Sequence, residues 1–237
     1  MQNVYWFKEI NKDSVNTAGG KGAQLSEMTQ AGFPIPPGFC VSAQSYFAFV
    51  KANKLDTIIA LNTNDLDYED TQALNRASES IKKAVMSSRM PDDIRADVVR
   101  AYNKLCGAEL IPSLDQEVFV AVRSSATAED LPQASFAGQQ ATFLNVKGSE
   151  KVVDAVKACW ASLFEARAIY YRNENHFDHL RVGICAIVQQ MVQSEKSGVM
   201  FTANAFTSDT SQIVIEAGFG LGEAIVSGMI TPDHYVV

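Results

Sequence analysis

Apolar residues follow a helical spacing over most of the first third of the chain. The pattern predicts four helices in this region, over residues 23–31, 42–53, 71–90 and 91–105. Ser42 is a suitable N-cap for the second helix, and Pro91 fits the first position of the fourth. Gly32 would end the first helix. Residues 54–68 are polar and lack a clear period, so we expect an irregular connection there.

Beyond residue 117 the spacing becomes that of strands. Residues 118–122 form an unbroken apolar run typical of a buried strand, and residues 123–140 predict a long loop. Further strand patterns occur over residues 4–7, 142–146, 182–192, 199–202, 213–215 and 234–237. A long helix is predicted over 150–173 and a short one near Glu223. The sequence therefore predicts an α+β fold, with a helix-rich N-terminal part followed by a mixed or antiparallel sheet.

Composition narrows the classes of partner. The 237 residues are 47% hydrophobic and 20% charged, which is ordinary for a soluble globular protein. There are 27 acidic and 20 basic residues, giving a net charge of −7 without runs of like charge. Neither nucleic acid nor an anionic membrane is an expected partner. The N-terminus lacks the pattern of a signal peptide, and no apolar stretch is long enough for a membrane span, so we expect a cytoplasmic protein.

Redox and metal-binding side chains are sparse in the sequence. The four cysteines are far apart without a C-x-x-C pair, and we expect reduced, mostly buried thiols. His176 and His179 have the spacing of two metal ligands on a helix, but no carboxylate cluster accompanies them. We therefore assign no metal ligand within the chain.

A glycine-rich segment, Gly19-Gly20-Lys21-Gly22, precedes the first predicted helix. Glycines there allow the backbone to approach a phosphate, and the lysine adds a positive charge. The spacing is not that of a Walker A loop. On the residues alone, a plain turn is the better interpretation.

A second candidate begins at the end of the strand predicted over 118–122. Arg123 could place a planar guanidinium at a phosphate, or it could pair with Glu129 or Asp130 to fix the loop. Residues 135–140 could close over a triphosphate and exclude water. The alternative is a surface turn anchored by Phe136.

The third candidate is the run Val188-Gln189-Gln190-Met191-Val192. Its backbone could offer one acceptor and one donor to adenine, with Met191 beside the ring. An edge strand with both glutamines facing water is the alternative. The glycines of residues 216–223 have the wrong spacing for a dinucleotide fingerprint, and no βαβ unit surrounds them.

The order of these motifs is more specific than any one of them. The run from Ala121 to Pro132, followed by Ala134 to Gln140, closely resembles the phosphoenolpyruvate synthase family. Shorter matching segments extend the resemblance over nearly the whole chain, at residues 19–22, 36–39, 161–164, 197–201 and 220–223. Rifampin phosphotransferases share most of these motifs, and pyruvate, phosphate dikinases resemble the chain less.

The resemblance implies an incomplete ATP-grasp-like domain. Its first lobe would comprise residues 1–188, and residues 189–237 would comprise the hinge and the start of the second lobe. Lys21 and Arg123 match residues that hold the triphosphate, and Arg123 is also the catalytic candidate. Gly138 and Gln139 match the loop that covers the phosphates. The adenine and ribose candidates are Gln189, Gln190, Met191, Val192 and Glu216.

In the family, ATP phosphorylates a histidine on a separate domain, giving AMP and phosphate, and the phosphoryl group then passes to pyruvate. The resemblance places the Mg²⁺ ligands, the phosphohistidine domain and the pyruvate-binding domain beyond residue 237. The apolar strand pattern at residues 234–237 has no terminator, which favours a fragment. Because the resemblance puts the metal ligands and the acceptor histidine outside it, we expect this fragment to be inactive alone. Two alternative functions stay open: the ATP-binding part of a rifampin phosphotransferase, and a non-catalytic nucleotide-binding module. A homodimer is also possible.

Overall fold

The computed structural model describes residues 2–107, 117–127 and 141–237. The chain divides into two compact units, one ending at Met191 and the other comprising residues 192–237. Both contain helices and antiparallel strands, which confirms the predicted α+β class. In the part of the chain that the structure describes, no helix combines the length and hydropathy of a membrane span.

The first unit is built on an antiparallel sheet that has five strands within the described residues. In chain order these are β1 (Val4–Trp6), β2 (Gly38–Val41), β3 (Val120–Ala126), β4 (Thr142–Val146) and β5 (Ile184–Gln190). Their order across the sheet is β1-β2-β5-β3-β4. The last of these five strands in the sequence, β5, therefore lies at the centre, where it joins β2 to β3.

Helices flank this sheet. They are α1 (Val15–Gln30), α2 (Ala43–Ala52), α3 (Leu55–Thr63), α4 (Thr71–Ser87), α5 (Asp92–Leu105), α6 (Ser149–Ala161) and α7 (Ala166–Glu174). Ser42 caps α2 as predicted, since its Oγ accepts the Ser45 N–H at 3.2 Å. Asp70 caps α4 in the same way, accepting the N–H groups of Gln72 and Ala73.

The two faces of the sheet have different coverings. The strand alternation places Val122, Ala186 and Val188 in the main core, which includes Trp160 of α6 and Phe49 of α2. The opposite face contributes Cys40, Cys185 and Ile187 to a smaller cluster with Ala18 of α1. Helix α1 thus covers the face that the other large helices do not.

Several predicted boundaries are wrong for local reasons. Residues 54–68 contain α3, whose buried positions Leu55, Ile59 and Thr63 recur every four residues within an otherwise polar segment. The helix predicted over 150–173 is interrupted by a 3-10 turn, Ser162–Phe164, and by extended backbone at Glu165. Pro91 is the N-cap of α5 and not its first helical residue.

Strand boundaries also differ from the predicted ones. Strand β2 is absent from the predicted strands, because it has only four residues and follows a proline-rich segment. Strand β3 continues past Arg123 to Ala126, so the first residues of the predicted loop belong to the sheet. The prediction of β4 over residues 142–146 is confirmed.

The second unit is a small sheet with one short helix. Its elements are β6 (Lys196–Phe201), β7 (Val214–Phe219), α8 (Glu223–Val226) and β8 (Asp233–Val236). The described strands lie in the order β6-β7-β8 with antiparallel neighbours. A Cβ on Gly218 would contact Ile225 of α8 and the following Ile230, so these residues cover that face of β7.

Candidate functional site

The glycine-rich segment lies inside α1 and not before a helix. Gly19 has φ 66° and ψ 173°, which interrupts the helix, and helical backbone resumes at Gly20. Lys21, which is exposed, therefore lies in the first turn after the interruption together with Gly22. The first N–H groups of such a segment have no acceptor within the helix. The turn can offer backbone donors and a positive charge at the same place.

Ser125 of β3 fixes this turn against the sheet. The N–H of Gly22 donates to the Ser125 Oγ at 3.4 Å. A Cβ on Gly19 would overlap the Oγ and the carbonyl oxygen of Ser125. Only glycine combines the positive φ with this approach. The contact explains why the segment requires glycine at its first position.

Arg123 lies on the same strand and on the same face. It precedes Ser125 by two residues, which is the side-chain repeat of a strand. Its neighbours across the sheet are Ile187 of β5 and Thr142 of β4. The residues around Arg123 in β3 are buried, whereas Arg123 itself is exposed. The structure thus brings the Arg123 segment and the Lys21 segment onto one face of the sheet.

The candidate adenine segment is held by several contacts. The Gln189 side chain is buried and donates its Nε2 hydrogen to the Pro36 carbonyl at 3.2 Å. The Gln190 N–H donates to the Pro37 carbonyl and the Met191 N–H to the Phe119 carbonyl, both at 2.9 Å. Neither of these two N–H groups is available to a base.

Met191 and Val192 stand in different surroundings. The Met191 Sδ accepts the Asn145 N–H at 3.1 Å, which orients this side chain toward β4. Val192 is 61% exposed and is the first residue of the second unit. Within residues 189–192, the backbone donor for a base would have to come from Val192.

Glu216 belongs to the second unit. It lies on β7 opposite Val199 and His234, and its Oε1 is 3.7 Å from the His234 Nδ1. Both side chains are partly exposed. The sequence did not indicate His234 as a neighbour of Glu216, because strand register depends on pairing between distant segments.

Two predicted phosphate residues, Gly138 and Gln139, lie outside the described residues, as do Glu129 and Asp130. Within residues 2–107, 117–127 and 141–237, no three His, Cys, Asp or Glu side chains converge on a point that could hold a metal ion.

His179 has a structural environment in the first unit. Its Nδ1 accepts the Arg172 Nε hydrogen at 3.0 Å, and its Nε2 lies 3.1 Å from the Tyr68 Oη, which donates to the Thr63 carbonyl. Since Nδ1 is an acceptor, Nε2 carries the hydrogen and donates to Tyr68. Burial, and then the nearby Arg172 guanidinium, lower the pKa of His179 to about 4.

Arg172 is the charged partner in this chain of hydrogen bonds. It is fully buried, its guanidinium lies 5.5 Å from the Phe164 ring centroid, and burial lowers its pKa to about 10. Its Nη1 and Nη2 find no hydrogen-bond acceptor among the described residues. The hydrogen bond between Arg172 and His179 links α7 to the segment after it. His179 therefore has a structural role that does not require a metal ion.

Ser125 is the site residue that sequence reasoning missed. The hydroxyl residues after Arg123 were visible in the sequence, but they were interpreted as part of a loop. The sequence does show a serine two residues after Arg123 and a pair of glycines at positions 19 and 20. Without the register of the sheet, however, these residues do not predict that Ser125 contacts the glycine-rich segment.

Comparison with known proteins agrees with this arrangement of motifs. The sequence model of the family described as pyruvate phosphate dikinase, AMP/ATP-binding domain, matches residues 15–237. A probable phosphoenolpyruvate synthase of Methanothermobacter thermautotrophicus is 53% identical over 99% of this chain and 34% of its own length. One from Methanocaldococcus jannaschii is 50% identical over the whole chain and 20% of its length.

The phosphoenolpyruvate synthase of Pyrococcus furiosus is 45% identical over 99% of the chain and 32% of its own length. The chain thus spans about a third or less of the length of these three relatives. The family match covers both units of the fold and includes the Lys21 turn, Arg123 and Glu216. The chain belongs to the pyruvate phosphate dikinase AMP/ATP-binding domain family.

Proposed function

We propose that the chain is the ATP-binding part of a phosphoenolpyruvate synthase. The ATP phosphates bind on the face of the sheet where the first turn after Gly19 and Arg123 occur together. The observation that carries this proposal is the contact of Gly19 and Gly22 with Ser125, two residues after Arg123 on β3. Two segments about 100 residues apart then present cations to one ligand.

The backbone N–H groups of the turn, Lys21 and Arg123 are all suited to binding a triphosphate. The turn supplies N–H donors at a positive helix end, and Lys21 adds a compact positive charge. Arg123 adds a planar fork that can hold two oxygens of one phosphate. Its exposure leaves the guanidinium accessible to a ligand. As the catalytic candidate, Arg123 stabilises charge on the transferred group, because phosphoryl transfer depends on positioning and electrostatics.

For the base and ribose, the proposal rests on the resemblance. Residues 189–192 would contact adenine, with Val192 as the backbone donor because Gln190 and Met191 use their N–H groups elsewhere. Glu216 is proposed for the ribose, and Gly138 with Gln139 for the loop over the phosphates. We place the first lobe at residues 1–188 and the hinge and second lobe at 189–237.

The whole reaction belongs to a longer protein. The relatives named phosphoenolpyruvate synthase are about three to five times as long as this chain. In the proposed function, ATP and pyruvate give AMP, phosphoenolpyruvate and phosphate through a phosphohistidine outside this chain. Mg²⁺, when bound, supplies charge stabilisation to the phosphates. The names of the relatives favour this function over rifampin phosphorylation.

Calorimetry with ATP, AMP and adenosine tests the ATP site in the full-length protein. Arg123→Ala should weaken ATP strongly, AMP less and adenosine hardly at all, because only the phosphates lose a partner. The matched control is Arg76→Ala, which removes an exposed arginine of α4. Equal losses for ATP and adenosine would assign Arg123 to the fold and defeat the proposal.

A further inference from the structure

Ser125 stands at the junction of the two candidate phosphate segments. We infer that Ser125 is a positioning residue that holds the first turn after Gly19 in a fixed place relative to Arg123. Its hydroxyl sets the geometry with which the turn and Arg123 converge on the ATP phosphates. The inference rests on the proposed function and deepens it, since the buried Ser125 is assigned a role in placing the phosphate-binding groups and no contact with ATP itself.

Arg123 and Ser125 belong to the same rigid strand. Both lie in β3, where Arg123 pairs with Ile187 and Ser125 with Cys185 of the central strand β5. Ser125 is fully buried, whereas Arg123 is exposed. Any group attached to Ser125 is therefore held at a defined place relative to the Arg123 backbone.

Two contacts with Ser125 hold the first turn after Gly19 in place. The Ser125 Oγ accepts the Gly22 N–H, so it holds the turn by a hydrogen bond. The Ser125 backbone lies against Gly19, where a Cβ would come within 2.6 Å of the carbonyl carbon. One contact attracts the turn and the other limits its approach, which together fix its height above the sheet.

The Ser125 hydroxyl is a side-chain acceptor for the Gly22 N–H. Gly22 is buried, and this N–H lies in the first turn after the interruption, where N–H groups commonly lack an acceptor in their own helix. Alanine at position 125 would remove the Ser125 acceptor, and the turn would move to find another one. Lys21 lies in the same turn and would move with it.

The test measures ATP and adenosine affinity by calorimetry in the full-length protein. Ser125→Ala should weaken ATP by about tenfold, the usual scale for a mispositioned charge-assisted contact, and adenosine by less than about twofold. The effect on ATP should largely disappear in a Lys21→Ala background, because Ser125 acts through that turn. Equal ATP losses from Ser125→Ala with and without Lys21 would overturn the inference.

Two further variants keep the result interpretable. Ser125→Cys conserves volume but replaces the oxygen with a weak acceptor, and it should follow the alanine variant. If Ser125→Cys folds and keeps full ATP affinity, the hydroxyl has no positioning role. Ser78→Ala removes another buried serine hydroxyl, one that donates to the Phe164 carbonyl at 2.7 Å, and should leave ATP affinity unchanged.

Failure of the inference differs from failure of the proposed function. If Arg123→Ala weakens ATP selectively and Ser125→Ala does not, the ATP site stands and Ser125 is only a packing residue. If Arg123→Ala weakens ATP and adenosine equally, the ATP site itself is wrong. A loss of both ligands in Ser125→Ala, with Ser78→Ala normal, would assign Ser125 to the fold.

Discussion

The Gly22 N–H donates to the Ser125 Oγ at 3.4 Å although 103 positions separate the two residues in the chain. Through this bond, the first turn after Gly19 is attached to the strand that carries Arg123. The two candidate phosphate-binding segments are therefore one structural entity. Changes on either side of the contact should affect both.

Gly19→Ala should lower the free energy of unfolding by more than backbone strain alone explains. Gly19 has φ 66° and ψ 173°, a region essentially restricted to glycine, and strain of this kind costs about 1–3 kcal/mol. At Gly19 the new Cβ would also overlap Ser125. The control is Gly32→Ala, since Gly32 has φ 83° but nothing within 4 Å of the added Cβ. Denaturant titration of both variants gives the difference, and equal losses would argue against a close contact at Gly19.

Lys21 and Arg123 should differ in their contributions to ATP affinity. Loss of a charge-assisted contact costs about 1.5–3 kcal/mol, or roughly ten- to hundredfold in affinity. We expect Arg123→Ala to cause a loss at the upper end of this range and Lys21→Ala one at the lower end. The reason is that the planar guanidinium of arginine can bind two phosphate oxygens. Arg123→Lys should recover part of the loss. The measurement is calorimetric titration with ATP, and full recovery by lysine would exclude a bidentate contact.

Stability should fall on acidification because His179 is neutral in the folded state. Its pKa is lowered from 6.5 to about 4, so the unfolded chain binds the proton more readily between these values. This contribution is fully present above pH 6.5 and is lost as the pH falls toward about 4. His179→Asn should flatten the pH dependence of the unfolding free energy in that window.

The comparison for His179 is His176→Asn. His176 is exposed, has φ 56°, and asparagine tolerates that backbone conformation. This variant should retain the steep pH dependence of the unmodified protein. A flattened curve for His176→Asn and an unchanged one for His179→Asn would contradict the assignment.

The four thiols should react with alkylating agents at different rates. Burial raises the pKa of Cys159 and of Cys185, and the neighbouring Cys40 thiol raises the pKa of Cys185 further. Cys106 is only partly buried. Because the thiolate is the nucleophile, iodoacetamide should label Cys106 first in the folded protein and the other three only after unfolding. Mass spectrometry of peptides locates the label, and early reaction at Cys159 would contradict its burial.

The sequence predicted those elements whose signals are local. Helices α2 and α4 have a capping residue and an apolar stripe within one segment, and both appear where they were expected. Helix α3 was missed because its stripe consists of only three buried positions in a polar segment. The α+β class followed from the change of period near residue 118.

The candidate site was less accessible to sequence reasoning. Lys21 and Arg123 could be named through family resemblance, but their shared face depends on the pairing of β3 with β5. The contact between Gly19 and Ser125 joins segments that no local pattern connects. Side-chain spacing predicts elements, whereas the convergence of distant elements requires the register of the sheet.

The central place of β5 has a consequence for the order of synthesis. Among the described strands, β2 and β3 are not neighbours, and each has β5 as its inner partner. A ribosome must therefore release residues 184–190 before the sheet can close. Until then, the emerging polypeptide consists of two separate strand pairs, β1-β2 and β3-β4, each with an unprotected inner edge that can pair with another chain. Nascent chains shorter than this length should depend most strongly on chaperones.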